Sequence, residues 1–256
     1  MTGLVLDEVG IRLGRRAVVE AVSLAVPPAS FLAIVGPNGV GKTSLIRAVA
    51  GLVRAQGTIR LGGVDLARLS APARARRLAY LPQRADVAWA LPVRDAVALG
   101  RLPHGDPFGR PTLADAEAVA RALDQLDLAG FADRPVTELS GGERARVMLA
   151  RVLATEAEVV LADEPTAALD PAQQLGVLAL LRQLAAAGGI VVAVLHDLTL
   201  AARFADRVAV MDAGRLVAEG PPDAVLTERL LAEVFRLDCT FIDMDGRRVP
   251  VPLGRA

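Results

Sequence analysis

The sequence predicts an α/β fold in which a mostly parallel sheet carries an N-terminal antiparallel β subdomain and an inserted α-helical subdomain. Short apolar runs of strand length alternate with helical patterns along much of the chain, as they do in parallel sheets. The first two strand patterns are not followed by helices, and the pattern turns helical between Val93 and Leu153. With 256 residues, 53% of them hydrophobic, the chain can build one large domain.

The predicted elements follow one another with short connections. Strands are expected at residues 4–9, 18–26, 31–35, 57–66 (a hairpin around Gly62 and Gly63), 77–83, 157–165, 190–197 and 207–217. Helices are clearest at 112–128 and at 173–189, where two glycines end the pattern. We therefore expect a single domain. Its parts are a core with the β subdomain at 1–85 and 156–218, a helical subdomain at about 86–155, and a C-terminal extension at 219–256.

A glycine-rich loop follows the third strand. It reads Gly36, Pro37, Asn38, Gly39, Val40, Gly41, Lys42, Thr43 and Ser44, between a strand pattern and a helix pattern. This spacing fits G-x-x-x-x-G-K-[ST], the Walker A loop, whose backbone N–H groups surround nucleotide phosphates. The sequence therefore predicts a P-loop NTPase core of the RecA-like type that binds ATP.

Lys42 is the single lysine of the chain, and the other 28 of its 29 basic residues are arginine. An arginine-rich composition explains the arginines but not this exception. A compact ammonium fits a loop wrapped around phosphates, where a broad guanidinium has no room. We expect Lys42 to reach the β- and γ-phosphates, and the Thr43 hydroxyl to hold Mg²⁺.

Two carboxylates end the apolar run VVLADE at 159–164. Because neighbouring strand residues point to opposite faces, Asp163 and Glu164 can serve different purposes. Asp163 is expected to hold Mg²⁺ directly or through water, and Glu164 to act as general base on the attacking water. The alternative is that the two acids have no catalytic role and end the strand only because the chain reaches solvent there.

A second anion site is indicated by Ser140, Gly141 and Gly142, which precede a helical pattern at 143–154. An ordinary N-cap would have the same residue types. A second phosphate site beside a Walker A loop, however, makes sense when two chains share one nucleotide.

The order of these motifs resembles the ATP-binding-cassette (ABC) ATPase family, because LSGGE at 139–143 stands between the Walker A loop and the carboxylate strand. The resemblance covers about residues 3–218 and continues beyond them. It implies a head-to-tail homodimer in which Ser140, Gly141 and Gly142 of one chain contact the γ-phosphate held by Lys42 of the other.

The resemblance also assigns roles to three single residues. Gln83 would sense Mg²⁺ and the attacking water, Asp170 would lie at the dimer seam, and His196 would contact the γ-phosphate. On its own, a histidine at a strand end is more often structural. His104 matches no catalytic motif, and we interpret it as a surface residue or local structure.

Three positions depart from the family pattern. Leu13 stands where an aromatic residue usually stacks on adenine. Its apolar side chain can still cover the base, and Arg15 or Arg16 can stack on it, so we expect weak base selectivity with GTP tolerated. Residues 28–30 replace a Pro-Gly-Glu turn, and Glu143 replaces a glutamine. The last two changes leave the phosphate-binding residues intact.

Segments 88–105, 167–174 and 196–235 resemble the branch of this family that energises importers of iron-siderophores, haem and cobalamin. The resemblance implies integral membrane permease subunits as partners, a periplasmic substrate-binding protein as an indirect partner, and a peripheral location on the cytoplasmic face of the cell membrane. Two alternatives apply to Trp89, Leu91, Pro92 and Val93: they form an exposed apolar socket for the permease, or they pack within the helical subdomain. For Val93 we favour packing within the subdomain.

Composition limits the alternatives. A formal net charge of zero and an aromatic content of 3% argue against a nucleic-acid partner. Neither a membrane span nor a secretory leader is expected, and one cysteine suits a reducing compartment. Two alternatives stay open: an ABC ATPase of another transport system, and a soluble ABC ATPase acting on nucleic acid or ribosomes.

Overall fold

The computed structural model describes residues 3–83, 90–105, 111–167, 169–244 and 246–256. The strands are β1 Leu4–Leu13, β2 Arg16–Val26, β3 Ser30–Val35, β4 Gln56–Leu61, β5 Val64–Asp65, β6 Leu78–Leu81, β7 Val159–Asp163, β8 Ile190–Val194, β9 Arg207–Asp212, β10 Arg215–Gly220, β11 Leu237–Met244 and β12 Arg247–Arg255. The helices are α1 Lys42–Val49, α2 Ala71–Arg77, α3 Val93–Ala98, α4 Leu113–Asp124, α5 Gly141–Ala154, α6 Pro171–Ala186, α7 Leu198–Phe204, α8 Pro222–Val225 and α9 Glu228–Leu230, which continues as a π-helical turn over Leu231–Phe235.

The main sheet has six strands in the order β10-β9-β3-β8-β7-β6. All neighbours pair in parallel except β10, which pairs antiparallel with β9. Strands β3, β7 and β8 are buried at every position. Their uninterrupted apolar sequences are typical of parallel strands covered on both faces. The predicted α/β class is confirmed.

The antiparallel sheet has the order β2-β1-β4-β5. Strands β1 and β2 pair antiparallel, and β4 and β5 form the hairpin expected around Gly62 and Gly63. Buried residues of β1, such as Leu6 and Ile11, share a core with Leu45 and Ile46 of α1. The early strands therefore cover the helix that follows the glycine-rich loop.

Helices α3, α4 and α5 pack together beside β6. Val93 at the start of α3 is fully buried, as its core interpretation predicts, while Leu91 and Pro92 are half-buried. The alternative roles of Trp89 lie outside the described residues. The backbone N–H groups of Val93 and Val136 donate to Arg134 and Leu91 across this junction.

The C-terminal segment forms structure that the sequence analysis left without an assignment. Strands β11 and β12 make an antiparallel hairpin, and β12 packs against α7. The Thr199 hydroxyl donates to the Pro250 carbonyl at 2.8 Å, and the thiol of Cys239 is free and buried. Across the described part of the chain, every helix is too short or too polar to cross a bilayer.

Gly100 marks the tightest contact between the α3 end and α5. A Cβ added there would lie 2.2 Å from the Arg151 carbonyl oxygen, a backbone atom that cannot move aside alone. We expect Gly100→Ala to lower the free energy of unfolding by about 1–3 kcal/mol because the subdomain must open to admit the methyl group. Urea unfolding followed by circular dichroism measures this loss.

Gly130→Ala is the matched control, because a Cβ there meets nothing within 4 Å and the residue lies in the same subdomain. Equal urea midpoints for the two variants would contradict the close packing at Gly100.

Candidate functional site

The predicted glycine-rich loop connects β3 to α1, with its glycines in positions that a side chain would disrupt. Gly41 has a φ of 102°, and a Cβ on it would lie 2.4 Å from the Val18 carbonyl oxygen. A Cβ on Gly36 would lie 2.1 Å from the Met211 carbonyl oxygen. The loop therefore fits between β2 and the end of β9 because these positions lack side chains.

The remaining loop residues differ in exposure. Asn38 and Gly39 are exposed, Pro37, Thr43 and Ser44 are partly buried, and Val40 is buried. The exposed middle of the loop and the first N–H groups of α1 thus form a concave, donor-rich backbone surface of the kind that binds anions.

Lys42 starts α1 and is only 5% exposed. Its ammonium donates to the carbonyl oxygens of Gly36 and Pro37, each at 2.8 Å. Burial lowers the pKa of Lys42, and the nearby carboxylates of Glu164 and Asp163 oppose that shift. The ammonium is thus held inside the loop, where a phosphate chain enclosed by the loop would meet it.

Asp163 ends β7 with no exposed surface, and the Thr43 hydroxyl donates to its Oδ1 at 2.9 Å. A hydroxyl and a carboxylate from two elements therefore lie side by side below the loop. Hard oxygen donors of this kind suit Mg²⁺, which takes few protein ligands and shares substrate phosphates. The pair expected from the sequence is brought together.

Two residues that the sequence analysis missed also reach Asp163. The Tyr80 hydroxyl donates to Asp163 Oδ2 at 3.1 Å, and Arg47 Nε donates to the Tyr80 oxygen at 3.2 Å. Burial raises the pKa of Tyr80, and the hydrogen bond from Arg47 opposes that shift. Tyr80 is the single tyrosine of the chain, but the pairing of its strand with β7 is seen only in the structure.

Glu164 turns away from Asp163 at the end of β7. We expected strand alternation to separate the two acids, but the strand ends at Asp163 and Glu164 has a φ of 53°. One of its oxygens accepts from Gln83 Nε2, and the other lies 2.6 Å from His196 Nε2. Glu164, Gln83 and His196 therefore form one cluster beside the loop.

The serine–glycine segment starts α5. Ser140 caps α5 by a reciprocal arrangement with Glu143, whose backbone N–H donates to Ser140 Oγ at 3.3 Å. Gly141 is exposed and Gly142 lies against the Gln173 side chain. Asp170 caps α6 and is exposed.

Within the described ranges, no hydrogen bond or ion pair joins this second group to the residues around Lys42. In the described contacts, Ser140 and Asp170 serve as helix caps. His104 has its Nε2 2.8 Å from the Thr155 carbonyl oxygen, which confirms its interpretation as local structure.

The position expected to cover a nucleobase is open. Leu13 is 51% exposed at the end of β1, and Arg15 and Arg16 are exposed beside it. Arg12 donates to the Arg15 carbonyl oxygen at 2.7 Å, which supports the turn. Both arginine side chains proposed for stacking are therefore accessible from solvent.

Comparison with known proteins assigns the chain to a family. Residues 19–167 match the family model described as ABC transporter. The Hemin import ATP-binding protein HmuV of Streptomyces coelicolor is 48% identical over 226 residues, which cover 88% of this chain and 80% of that protein.

Solved structures of ABC proteins also superpose on this chain. An inward-facing ABC transporter described as of metal-chelate type superposes with a TM-score of 0.85 at 28% identity, covering 99% of this chain and 98% of that one. A dimeric post-hydrolysis state of an ATP-binding cassette bound to ADP and Pi superposes with a TM-score of 0.76 at 25% identity, covering 86% and 98% of the two chains. The chain therefore belongs to the ABC transporter family.

Proposed function

We propose that this protein is the ATP-hydrolysing subunit of an ABC importer and powers uptake of haem or a related metal chelate, such as an iron-siderophore or cobalamin, through a separate membrane permease. The observation that carries the ATPase assignment is the convergence of Lys42, Asp163 and Glu164 at one sheet edge. The cargo class is supported by the hemin-import relative and the metal-chelate type neighbour.

ATP would bind with its phosphates inside the loop at 36–44. Backbone N–H groups of the loop and of the α1 N-terminus donate to the phosphates, and Lys42 exchanges its two carbonyl partners for phosphate oxygens. Thr43 and Asp163 would hold Mg²⁺, which, when bound, supplies positive charge to the β- and γ-phosphate oxygens. The base-covering surface around Leu13 is open and would contribute little selectivity between ATP and GTP.

Glu164 would accept a proton from the attacking water. The water oxygen then bonds to the γ-phosphorus, while the bond between that phosphorus and the oxygen shared with the β-phosphate breaks and ADP leaves. Both Glu164 oxygens are engaged in this structure, one by Gln83 and one facing His196. Each oxygen keeps a further lone pair, so the carboxylate can receive the proton while these contacts are in place. Gln83 and His196 would then orient the water and the γ-phosphate.

A second copy of the chain would complete the site. Ser140 and Gly141 are exposed at the N-terminus of α5, beside the partly buried Gly142, and an exposed helix N-terminus suits a phosphate. In a head-to-tail homodimer they would contact the γ-phosphate held by the other copy, with Asp170 at the seam. The dimeric cassette bound to ADP and Pi supports this arrangement.

Closure of the dimer on ATP and its opening after hydrolysis would drive the permease between outward- and inward-facing states, because ATP binds the closed form better. The helical subdomain directly follows Gln83 in the chain and would transmit this motion. The subunit would act at the cytoplasmic face of the membrane as a peripheral protein, with a periplasmic substrate-binding protein as an indirect partner and no nucleic acid.

Replacing the single lysine tests the loop assignment. Lys42→Arg keeps the charge, but a guanidinium cannot occupy the buried space between the two carbonyl oxygens. We expect ATP affinity to fall by about tenfold or more, which corresponds to about 1.4 kcal/mol. Isothermal titration with ATP measures the change, and Arg68→Lys at an exposed position is the control. Unchanged affinity in Lys42→Arg would overturn this account of the loop.

Removing the proposed base tests the chemistry. Glu164→Gln should keep ATP binding while phosphate release slows by about 100-fold, because the amide cannot accept the proton. Unhydrolysed ATP should then hold two copies together, and size-exclusion chromatography with ATP would detect the dimer. Glu117→Gln, on the exposed side of α4, is the matched control. Near-normal turnover in Glu164→Gln would remove this residue from the base role.

Recovery from native membranes tests the importer assignment. A tagged chain, purified after gentle solubilisation, should bring a multi-span permease with it, and mass spectrometry would identify that protein. A gene product that binds haem or another chelate outside the membrane should accompany the permease. Recovery with ribosomes or DNA alone would leave the ATPase in place and overturn the transport role.

A further inference from the structure

Each oxygen of the Asp163 carboxylate accepts a hydrogen bond, but the proposed Mg²⁺ site includes only one of the two donors. Thr43 donates to Oδ1, and Tyr80 donates to Oδ2. We propose that Tyr80 is a positioning residue that fixes the orientation of the Asp163 carboxylate for metal binding, and that Arg47 holds Tyr80 in place. This inference rests on the proposed function, which makes Asp163 a metal ligand.

The strand pairing puts Tyr80 where it can act on Asp163. Tyr80 lies on β6 and pairs with Leu161 of β7, two residues before Asp163. Its ring is half-buried against the core formed by α1 and the main sheet. Residues two apart on a strand share a face, so Leu161 and Asp163 point the same way and the tyrosine hydroxyl reaches along that face.

Helix α1 brings Arg47 to the same carboxylate. Thr43 and Arg47 are four residues apart, so they lie on one face of the helix. Arg47 Nε donates to the Tyr80 oxygen at 3.2 Å and lies 4.0 Å from Asp163 Oδ2. The helix that supplies the phosphate-binding lysine thus also supplies two of the groups that surround Asp163.

Burial makes the contact from Tyr80 consequential. Asp163 has no exposed surface, so water cannot replace a lost donor without a change in packing. A carboxylate that keeps only the bond from Thr43 can rotate and present its lone pairs in a wrong direction. Loss of a hydrogen bond that orients a metal ligand usually lowers metal affinity by about 10–100-fold. The hydrogen bond from Tyr80 to Asp163 is of this kind.

The test measures metal binding without turnover. Mn²⁺ serves as a spectroscopic probe for the Mg²⁺ site, and electron paramagnetic resonance follows its binding to the full-length protein in the presence of ADP. We expect Tyr80→Phe to raise the Kd for Mn²⁺ by about tenfold. The affinity for ADP measured with a chelator present should not change, because the phenyl ring and the loop are retained.

Two further variants sharpen the result. Arg47→Gln should raise the Kd for Mn²⁺ by a smaller factor, because Tyr80 keeps its own hydroxyl. Thr155→Val is the matched control: it also removes one buried hydroxyl, which donates to the Arg151 carbonyl in α5, and it should leave Mn²⁺ binding unchanged.

The outcomes separate this inference from the proposed function. If the unmodified protein binds no Mn²⁺ with ADP, the proposed function itself fails. If that protein binds Mn²⁺ but Tyr80→Phe binds it equally well, only the role of Tyr80 fails. Circular dichroism checks the fold of each variant. Should Tyr80→Phe not fold, Arg47→Gln decides, and an unchanged Kd in it would overturn the inference.

Discussion

The buried carboxylate of Asp163 connects the parts of the molecule on which the site depends. It ends a fully buried strand and accepts from Thr43 of α1 and from Tyr80 of β6. An isolated ionised carboxylate in this position would be costly, so its donors are part of the fold as well as of the site. Through them, α1 is fixed to β7 and β6 of the main sheet.

The parallel sheet explains why distant residues meet. The loop at 36–44 follows β3, Gln83 lies two residues after β6, Glu164 follows β7 and His196 lies two residues after β8. Carboxyl ends of parallel strands lie at one edge of a sheet, which is where open α/β folds bind ligands. The site is therefore a consequence of topology, and the side chains on these four connections determine its chemistry.

Much of this arrangement could be predicted from the sequence, because the loop and the strands are encoded by short stretches of consecutive residues. The loop around Lys42 has a motif that its backbone conformation requires, and the strands on either side are continuous apolar runs. Tyr80 was missed because its role depends on strand pairing with β7, which no short motif encodes. The C-terminal hairpin was missed because it depends on packing against α7, a contact more than 40 residues away in sequence.

The sequence analysis predicted that Asp163 and Glu164 are separated, but the reason it used, strand alternation, was partly wrong because the strand ends at Asp163. The separation of Glu164 comes from a positive φ after the strand, which turns the side chain towards Gln83 and His196. Each of its oxygens then has one partner, Gln83 for one and His196 for the other. If Glu164 is the base, as proposed, these two contacts fix the direction of its carboxylate and leave lone pairs free to accept a proton. In the proposed homodimer, the serine–glycine segment of the partner copy would meet the γ-phosphate beside this cluster, which would couple hydrolysis to dimer closure.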